Sequence, residues 1–283
     1  MIRDSEAGAR HAPPYAWGAL AALCVFCLYL ATLSPTTAMW DTSEYIAAAK
    51  VLGLPHPPGN PLFVMLAHAF GLLPIPVSYA ARINILAALC SAIAAGVWFL
   101  LIDFVLARGG VSTLRRRACA TAGVILGATA FTVWNQSVVN EKVYTISLAL
   151  FAVITLLMLR WLDGDGTKRN DAKLVAIGFL LGAGYSVHPA GLLPGLAVVI
   201  TVASQHWRKF LQPKLVAAVF GAFILGLTPF IFEPIRAAQA PAMNEGAPTG
   251  CENGLAWSCT FSESTYTRLS ANINRDQYGK PSV

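Results

Sequence analysis

The run ARINILAALCSAIAAGVWFLLIDFVL, residues 81–106, decides the fold class of this chain. It is apolar almost throughout, and it exceeds the roughly 20 residues that an α-helix needs to cross the hydrocarbon core of a membrane. Only 12% of the 283 residues are charged and the mean hydropathy is +0.58, whereas a soluble domain carries about a quarter charged residues. The sequence therefore predicts an integral membrane protein.

Further apolar segments lie on both sides of this run, and together they predict an all-α, polytopic bundle of about seven transmembrane helices. The first segment follows two basic residues, but it lacks a clear small-residue cleavage site, so we interpret it as an uncleaved helix rather than a signal peptide. The fifth and sixth are either two short helices or one broken hairpin. The segments are Tyr15–Leu33, Ala81–Leu106, Ala118–Trp134, Val143–Leu162, Leu174–Val187, Ala190–Ser204 and Leu215–Phe232.

The distribution of the 20 Lys and Arg residues predicts a cytoplasmic N-terminus. The densest basic run, 115–117, lies between two apolar segments, so topology explains the net charge of +6, and no nucleic-acid recognition motif accompanies it. This orientation divides the chain into a cytoplasmic N-terminus (1–14), a transmembrane domain (15–232) with a first external loop (34–79), and an external tail (233–283). Because the chain ends in a polar stretch without a closing helix, we interpret it as an N-terminal fragment.

The first external loop opens with Trp40-Asp41-Thr42-Ser43-Glu44-Tyr45. Asp41 and Glu44 are three residues apart, so on a helix they share one face. Two carboxylates at a membrane surface are suited to general-base chemistry or to half of a metal site. The alternative is that they only stabilise the start of a short amphipathic helix through its dipole.

Four prolines surround His56 in the run Leu54-Pro55-His56-Pro57-Pro58-Gly59-Asn60-Pro61. Such a run fixes a rigid, non-helical turn. It either holds His56 near a substrate or simply connects two interfacial helices, of which Pro61–Leu73 is the second. Both alternatives stay open.

A third set of polar residues is predicted at the external ends of the spans. Arg82 and Lys142 are suited to bind a phosphate, although snorkelling toward the interface is the alternative for each. Cys251 and Cys259 form a disulfide if the tail is external, whereas the other cysteines lie in apolar segments. The polar residues predicted at the external ends of the spans also include Asn84, Glu141 and His188.

These segments resemble the transmembrane-protein-260-type O-mannosyltransferases and their bacterial relatives. The first loop carries the most specific resemblance, through residues 40–49 and 54–62. Weaker matches are Ala81-Arg82-Ile83-Asn84-Ile85-Leu86, Val139-Asn140-Glu141-Lys142-Val143-Tyr144, Ser186-Val187-His188 and Arg275-Asp276-Gln277-Tyr278-Gly279. The family is similar to the GT-C glycosyltransferases, which are multi-helix membrane enzymes.

The resemblance implies a function as a glycosyltransferase of the bacterial inner membrane. A sugar, mannose in the animal enzymes, would pass from a polyprenyl-phosphate donor to a protein or lipid acceptor on the non-cytoplasmic face, with inversion. Asp41 would be the catalytic base and Glu44 its partner, while Arg82 and Lys142 would bind the donor phosphate. The residues that would contact sugar or acceptor are His56, Asn84, Glu141 and His188.

Two other functions stay open. A transporter or lipid flippase would show ionisable residues near the bilayer midplane and an internal repeat, but the only acidic residue inside a predicted span is Asp103, close to its cytoplasmic end, and no repeat is evident. A membrane scaffold would use the two acids for helix capping alone. No haem, nicotinamide or nucleotide motif occurs, and two carboxylates can act with or without a divalent cation, so metal dependence also stays open.

Overall fold

The computed structural model describes residues 13–38, 41–139, 143–164, 168–245 and 263–274. These ranges contain twelve α-helices and no extended strand. The helices are α1 Tyr15–Ala31, α2 Thr42–Val51, α3 Pro61–Gly71, α4 Tyr79–Arg108, α5 Thr113–Thr129, α6 Phe131–Val138, α7 Tyr144–Leu162, α8 Lys168–Val187, α9 Leu193–His206, α10 Pro213–Leu227, α11 Phe232–Ala237 and α12 Glu263–Asn274.

Four helical segments of the described chain are long and apolar enough to cross a membrane: α4, α7, Pro189–Leu211 and Pro213–Ala237. A fifth arises if α5 and α6, which meet at a bend of 66°, form one broken span. Every predicted apolar segment is helical, which confirms the all-α polytopic membrane bundle. The number seven is not confirmed, because α1 has only 17 residues and α8 begins with charged residues.

Glycines allow the long helices to approach each other closely. Gly178 and Gly182 are four residues apart on α8, and the backbone of α10 lies directly against them. A Cβ added at Gly178 would lie 2.6 Å from the carbonyl oxygen of Val219. Gly18 of α1 and Gly96 of α4 meet in the same way. Small residues at such spacing permit the close backbone contact that stabilises helix pairs in membranes.

One end of the bundle is built around α2 and α3, and we call it the α2–α3 end. A buried cluster there joins these two short helices to the beginnings of α4 and α7 and to the end of α8. Its largest members include Tyr45, Phe63 and Ile83, each no more than 2% exposed. The predicted external segments at 34–79, near His188 and after Glu233 therefore lie at one end of the bundle.

Ion pairs collect at the opposite end. Asp103, which is 1% exposed, accepts a hydrogen bond of 2.9 Å from Arg116, and Arg117 lies 3.4 Å from the same carboxylate. Arg108 and Asp163 pair at 2.8 Å between the ends of α4 and α7. Asp103, which the sequence placed inside a span, is therefore paired with two arginines near one end of the bundle.

Candidate active site

Asp41 occupies the N-cap position of α2, and Glu44 lies in the first turn of that helix. The Asp41 side chain makes no capping hydrogen bond to α2, and stabilisation of the helix dipole by the two acids stays the alternative to a catalytic role. The face of α2 that carries Tyr45, Ile46 and Ala49 adjoins the two acids and is buried in the cluster at the α2–α3 end. Packing of this face holds the two carboxylates at the surface of the bundle.

The turn that follows α2 returns to Glu44. The backbone N–H of His56 donates to Glu44 Oε1 at 2.6 Å, and Nδ1 of its ring lies 2.8 Å from Oε2. Partial burial acts to raise the pKa of Glu44, but the two hydrogen bonds and the charge of His56 outweigh it and hold the pKa below its usual value. The Glu44 carboxylate therefore accepts hydrogen bonds from the backbone N–H and from the ring Nδ1 of His56.

A second set of contacts holds the other side of the His56 ring. Nε2 lies 3.3 Å from the hydroxyl of Tyr45, which in turn accepts a hydrogen bond of 2.6 Å from Asn60 Nδ2. Asn60 is 1% exposed and adopts φ = 47°, a left-handed conformation that asparagine tolerates better than most residues. The proline-rich turn therefore places His56 between Glu44 and Tyr45, and a role in holding it near a substrate stays a prediction.

Asp41, Glu44 and His56 form one compact group, which we call the carboxylate–histidine cluster. One potential ligand atom from each residue lies within 4.8 Å of the other two, and each residue is partly exposed. Two oxygens and one imidazole nitrogen at this spacing can accept a proton, orient a hydroxyl or bind a divalent cation. The sequence placed the two acids together, but it did not predict that His56 joins them.

Arg82 and Asn84, both predicted to contact substrate, bind backbone carbonyls instead. Arg82 donates through Nε to Ile75 and through Nη1 to Gly71, both at 3.0 Å. Asn84 is fully buried and donates to the carbonyls of Ser34 and Thr36. These contacts hold the two ends of the first loop, so any contact with substrate stays a prediction.

His188 caps the short turn between α8 and α9. Its Nδ1 accepts a hydrogen bond of 3.1 Å from the backbone N–H of Ala190, and its ring packs edge-on against Tyr144 at 5.1 Å. Near Tyr144 a cavity of about 300 Å³ lies between α4, α6, α7 and the start of α9. Glu141 and Lys142, like Cys251 and Cys259, lie outside the described residues.

Residues 41–211 match the model of a protein family described as the protein O-mannosyl-transferase TMEM260 N-terminal domain. The chain belongs to this family. A mouse (Mus musculus) relative, protein O-mannosyl-transferase TMEM260, is 29% identical over 244 residues, which cover 82% of this chain and 33% of the mouse protein. The chain therefore spans about a third of the length of this relative. No solved structure matches the chain.

The family match begins at Asp41 and contains the whole carboxylate–histidine cluster. It confirms the family resemblance that the first-loop motif indicated. A bacterial origin and the interpretation as an N-terminal fragment stay predictions.

Arg236 lies beyond the matched region and contacts the C-terminal end of α2, a role that no motif in the sequence indicated. Its guanidinium donates to the carbonyls of Val51 (2.9 Å) and Leu52 (2.6 Å) at the C-terminal end of α2. Such carbonyls have no partner within the helix. The chain after α11 also pairs with the first loop through a bridge between Leu54 and Asn244. The far end of α2 is therefore fixed by residues about 190 positions away.

We expect the Arg236→Ala substitution to lower the free energy of unfolding by about 1.5–3 kcal/mol, because hydrogen bonds from a charged donor to buried carbonyls are lost. Thermal unfolding of the purified protein in detergent measures this change. Arg115→Ala is the matched control, since Arg115 is exposed at the opposite end of the bundle. Equal unfolding temperatures for the two variants would show that Arg236 does not hold α2.

Proposed function

We propose that this chain is a membrane glycosyltransferase of the GT-C type that transfers mannose from a polyprenyl-phosphate donor to a hydroxyl group of a protein acceptor. The observation that carries the proposal is the carboxylate–histidine cluster, which lies within the family match at one end of a membrane bundle. The relative's printed name supports mannose and a protein acceptor. Basic residues at the opposite end support a non-cytoplasmic location for the cluster.

Asp41 is proposed as the general base. It would take the proton of the acceptor hydroxyl while the oxygen attacks C1 of the sugar and the bond from C1 to the phosphate oxygen breaks. The electron pair of that bond leaves with the polyprenyl phosphate, and the anomeric configuration inverts. Both carboxylate oxygens of Glu44 accept hydrogen bonds from His56, so Glu44 is proposed to support His56 rather than to act as the base.

Glu44 is proposed to act through His56 rather than on the acceptor. Its carboxylate orients the imidazole from one side, and the Tyr45 hydroxyl holds the ring from the other. A ring fixed in this way can present a polar edge to the sugar without losing rotamer entropy on binding. This arrangement changes the predicted partnership: Glu44 supports His56, and Asp41 performs the proton transfer.

The leaving phosphate requires positive charge near the cluster. Arg82 uses Nε and Nη1 for backbone carbonyls, so Nη2 is the nitrogen proposed to reach the phosphate. Lys142 is retained as a second phosphate-binding residue, because it precedes Val143, which is buried in the core of the α2–α3 end. His188 and Glu141 are retained as contacts for sugar or acceptor.

The cavity beside Tyr144 is proposed to hold the first isoprene units of the donor. Most of its lining is apolar, and it also contains Ser147, whose buried hydroxyl has no hydrogen-bond partner among the described residues. Its volume of about 300 Å³ lies at the lower end of the range for small-molecule sites. An apolar cavity wall beside a polar hydroxyl matches the donor at the point where its apolar isoprenoid chain meets the phosphate.

The proposal is tested with purified full-length protein in nanodiscs, radiolabelled polyprenyl-phosphate mannose and a library of Ser- and Thr-containing peptides. We expect label to pass from the lipid to peptide, and the product to carry the anomeric configuration opposite to that of the donor, as linkage-specific mannosidases would show. GDP-mannose serves as the control donor and should give no product. Failure to consume any polyprenyl-phosphate sugar would overturn the proposal and turn attention to lipid transport.

A further inference from the structure

The carboxylate–histidine cluster has the donor atoms and the dimensions of a divalent metal site. Bonds from divalent metals to imidazole nitrogen or carboxylate oxygen are about 2.0–2.2 Å long, so two opposed ligand atoms lie about 4.4 Å apart. The three ligand atoms here lie within 4.8 Å of one another. The His56 Nδ1 and Glu44 Oε2 atoms are 2.8 Å apart, close to the separation of about 3.0 Å for adjacent ligands at right angles. These separations are compatible with three ligands of one cation.

The ligand positions are held by packing that does not depend on a cation. Asp41 and Glu44 lie on a helix whose adjoining face is buried, and the turn that carries His56 is buried on both sides of that residue. A site of this kind is largely formed before the metal binds. The three residues are only partly buried, so a cation can enter from solvent.

The surroundings of His56 are those of a metal-bound histidine. A ligating imidazole usually makes a hydrogen bond through its second nitrogen, which fixes the orientation of the ring. Here Nε2 contacts the Tyr45 hydroxyl, which is held by Asn60. Nδ1 faces the carboxylate of Glu44.

Asn60 fixes the Tyr45 hydroxyl that holds the His56 ring. Its side chain is 1% exposed, and its amide oxygen is buried without a hydrogen-bond partner among the described residues. The amide lies two hydrogen bonds from the His56 ring.

From these observations we infer that Asp41, Glu44 and His56 bind one divalent transition-metal ion. Three protein ligands leave coordination positions open, which is typical of catalytic rather than structural sites. A mixed set of two carboxylates and one imidazole suits Mn²⁺ or Zn²⁺ better than Ca²⁺, which takes oxygen ligands.

The role of the ion in transfer, but not its binding, rests on the proposed function. One oxygen of Asp41 would serve as ligand and the other would remain available to the acceptor hydroxyl. An open coordination position would then accept an oxygen of the donor phosphate and offset its developing charge.

Titration with Mn²⁺ alone, followed by electron paramagnetic resonance of the purified full-length protein after removal of any affinity tag, tests this inference. We expect one bound Mn²⁺ per chain, displaced by Zn²⁺ and lost in Asp41→Asn and His56→Gln. Tyr45→Phe keeps all three ligands and is expected to weaken binding about 10–100-fold through the lost outer contact. His206→Gln, at the opposite end against Trp161, should bind as the unsubstituted protein does.

Thermal unfolding of each variant separates loss of the site from loss of the fold. Absence of saturable Mn²⁺ binding in the folded, unsubstituted protein would overturn the inference, as would equal binding by folded Asp41→Asn. Mannose transfer that persists in a metal-free protein would leave the proposed function standing and would overturn the role of the ion in transfer. Specific Mn²⁺ binding without mannose transfer would support the metal site and overturn the proposed function.

Discussion

We expect the Asp41→Asn substitution to reduce the rate of mannose transfer about 10²–10⁴-fold, the contribution that a positioned general base makes. The amide cannot accept the proton of the acceptor hydroxyl. The fold should persist, because Asp41 is partly exposed, makes no capping hydrogen bond to α2, and is replaced by a side chain of the same shape. The transfer of label from polyprenyl-phosphate mannose measures the rate, and thermal unfolding monitors the fold.

Asp163→Asn is the matched control for this experiment. Asp163 pairs with Arg108 at the opposite end of the bundle, where both side chains are substantially exposed. Loss of such a surface pair changes stability by about 1 kcal/mol or less, and it should leave transfer unchanged. Full activity in a folded Asp41→Asn protein would remove Asp41 from the mechanism.

The second large effect is expected at Gly182. An added Cβ there would overlap the carbonyl oxygen of Phe223, and backbone atoms cannot rotate away as a side chain can. Gly182→Ala should therefore separate α8 from α10 and lower the free energy of unfolding by about 1–3 kcal/mol, as overpacking does in tightly packed interiors. Thermal unfolding in detergent of the purified variant measures the change.

Gly221→Ala on α10 tests the cause of that effect. No atom lies within 4 Å of a Cβ built at Gly221, so the same substitution adds a methyl group without a clash. Because alanine also favours the helix, this variant should unfold at the same temperature or higher. If both variants lost stability equally, glycine flexibility rather than close packing of α8 against α10 would be responsible.

The helical segments and their membrane character could be predicted from the sequence, because both follow from the local length and composition of apolar runs. The short helices of the first loop were predicted for the same reason, and they appear as Thr42–Val51 and Pro61–Gly71. The number of spans was harder to predict from the sequence. It depends on the length and charge of each helix and on whether α5 and α6, which meet at a bend of 66°, form one span.

The sequence brought Asp41 and Glu44 together because they occupy one turn of one helix. It did not predict the contact between Glu44 and His56, since an irregular proline-rich turn of several residues separates them and helix periodicity does not extend through it. The contacts of Arg82 and Asn84 could not be predicted from the sequence either. A basic or amide side chain at a helix end can face a ligand or a neighbouring carbonyl, and only packing distinguishes these environments.

By itself the sequence determined that this protein is a helical membrane protein, and its first-loop motif indicated the family to which the chain belongs. Both are properties of short stretches, read from hydropathy or from consecutive residues. Tertiary structure alone decided that His56 completes a cluster with two carboxylates, and that Arg236, 185 positions after Val51, holds the end of α2. The physical reason is that these contacts join segments whose approach is set by helix packing over the whole chain, which no local pattern records.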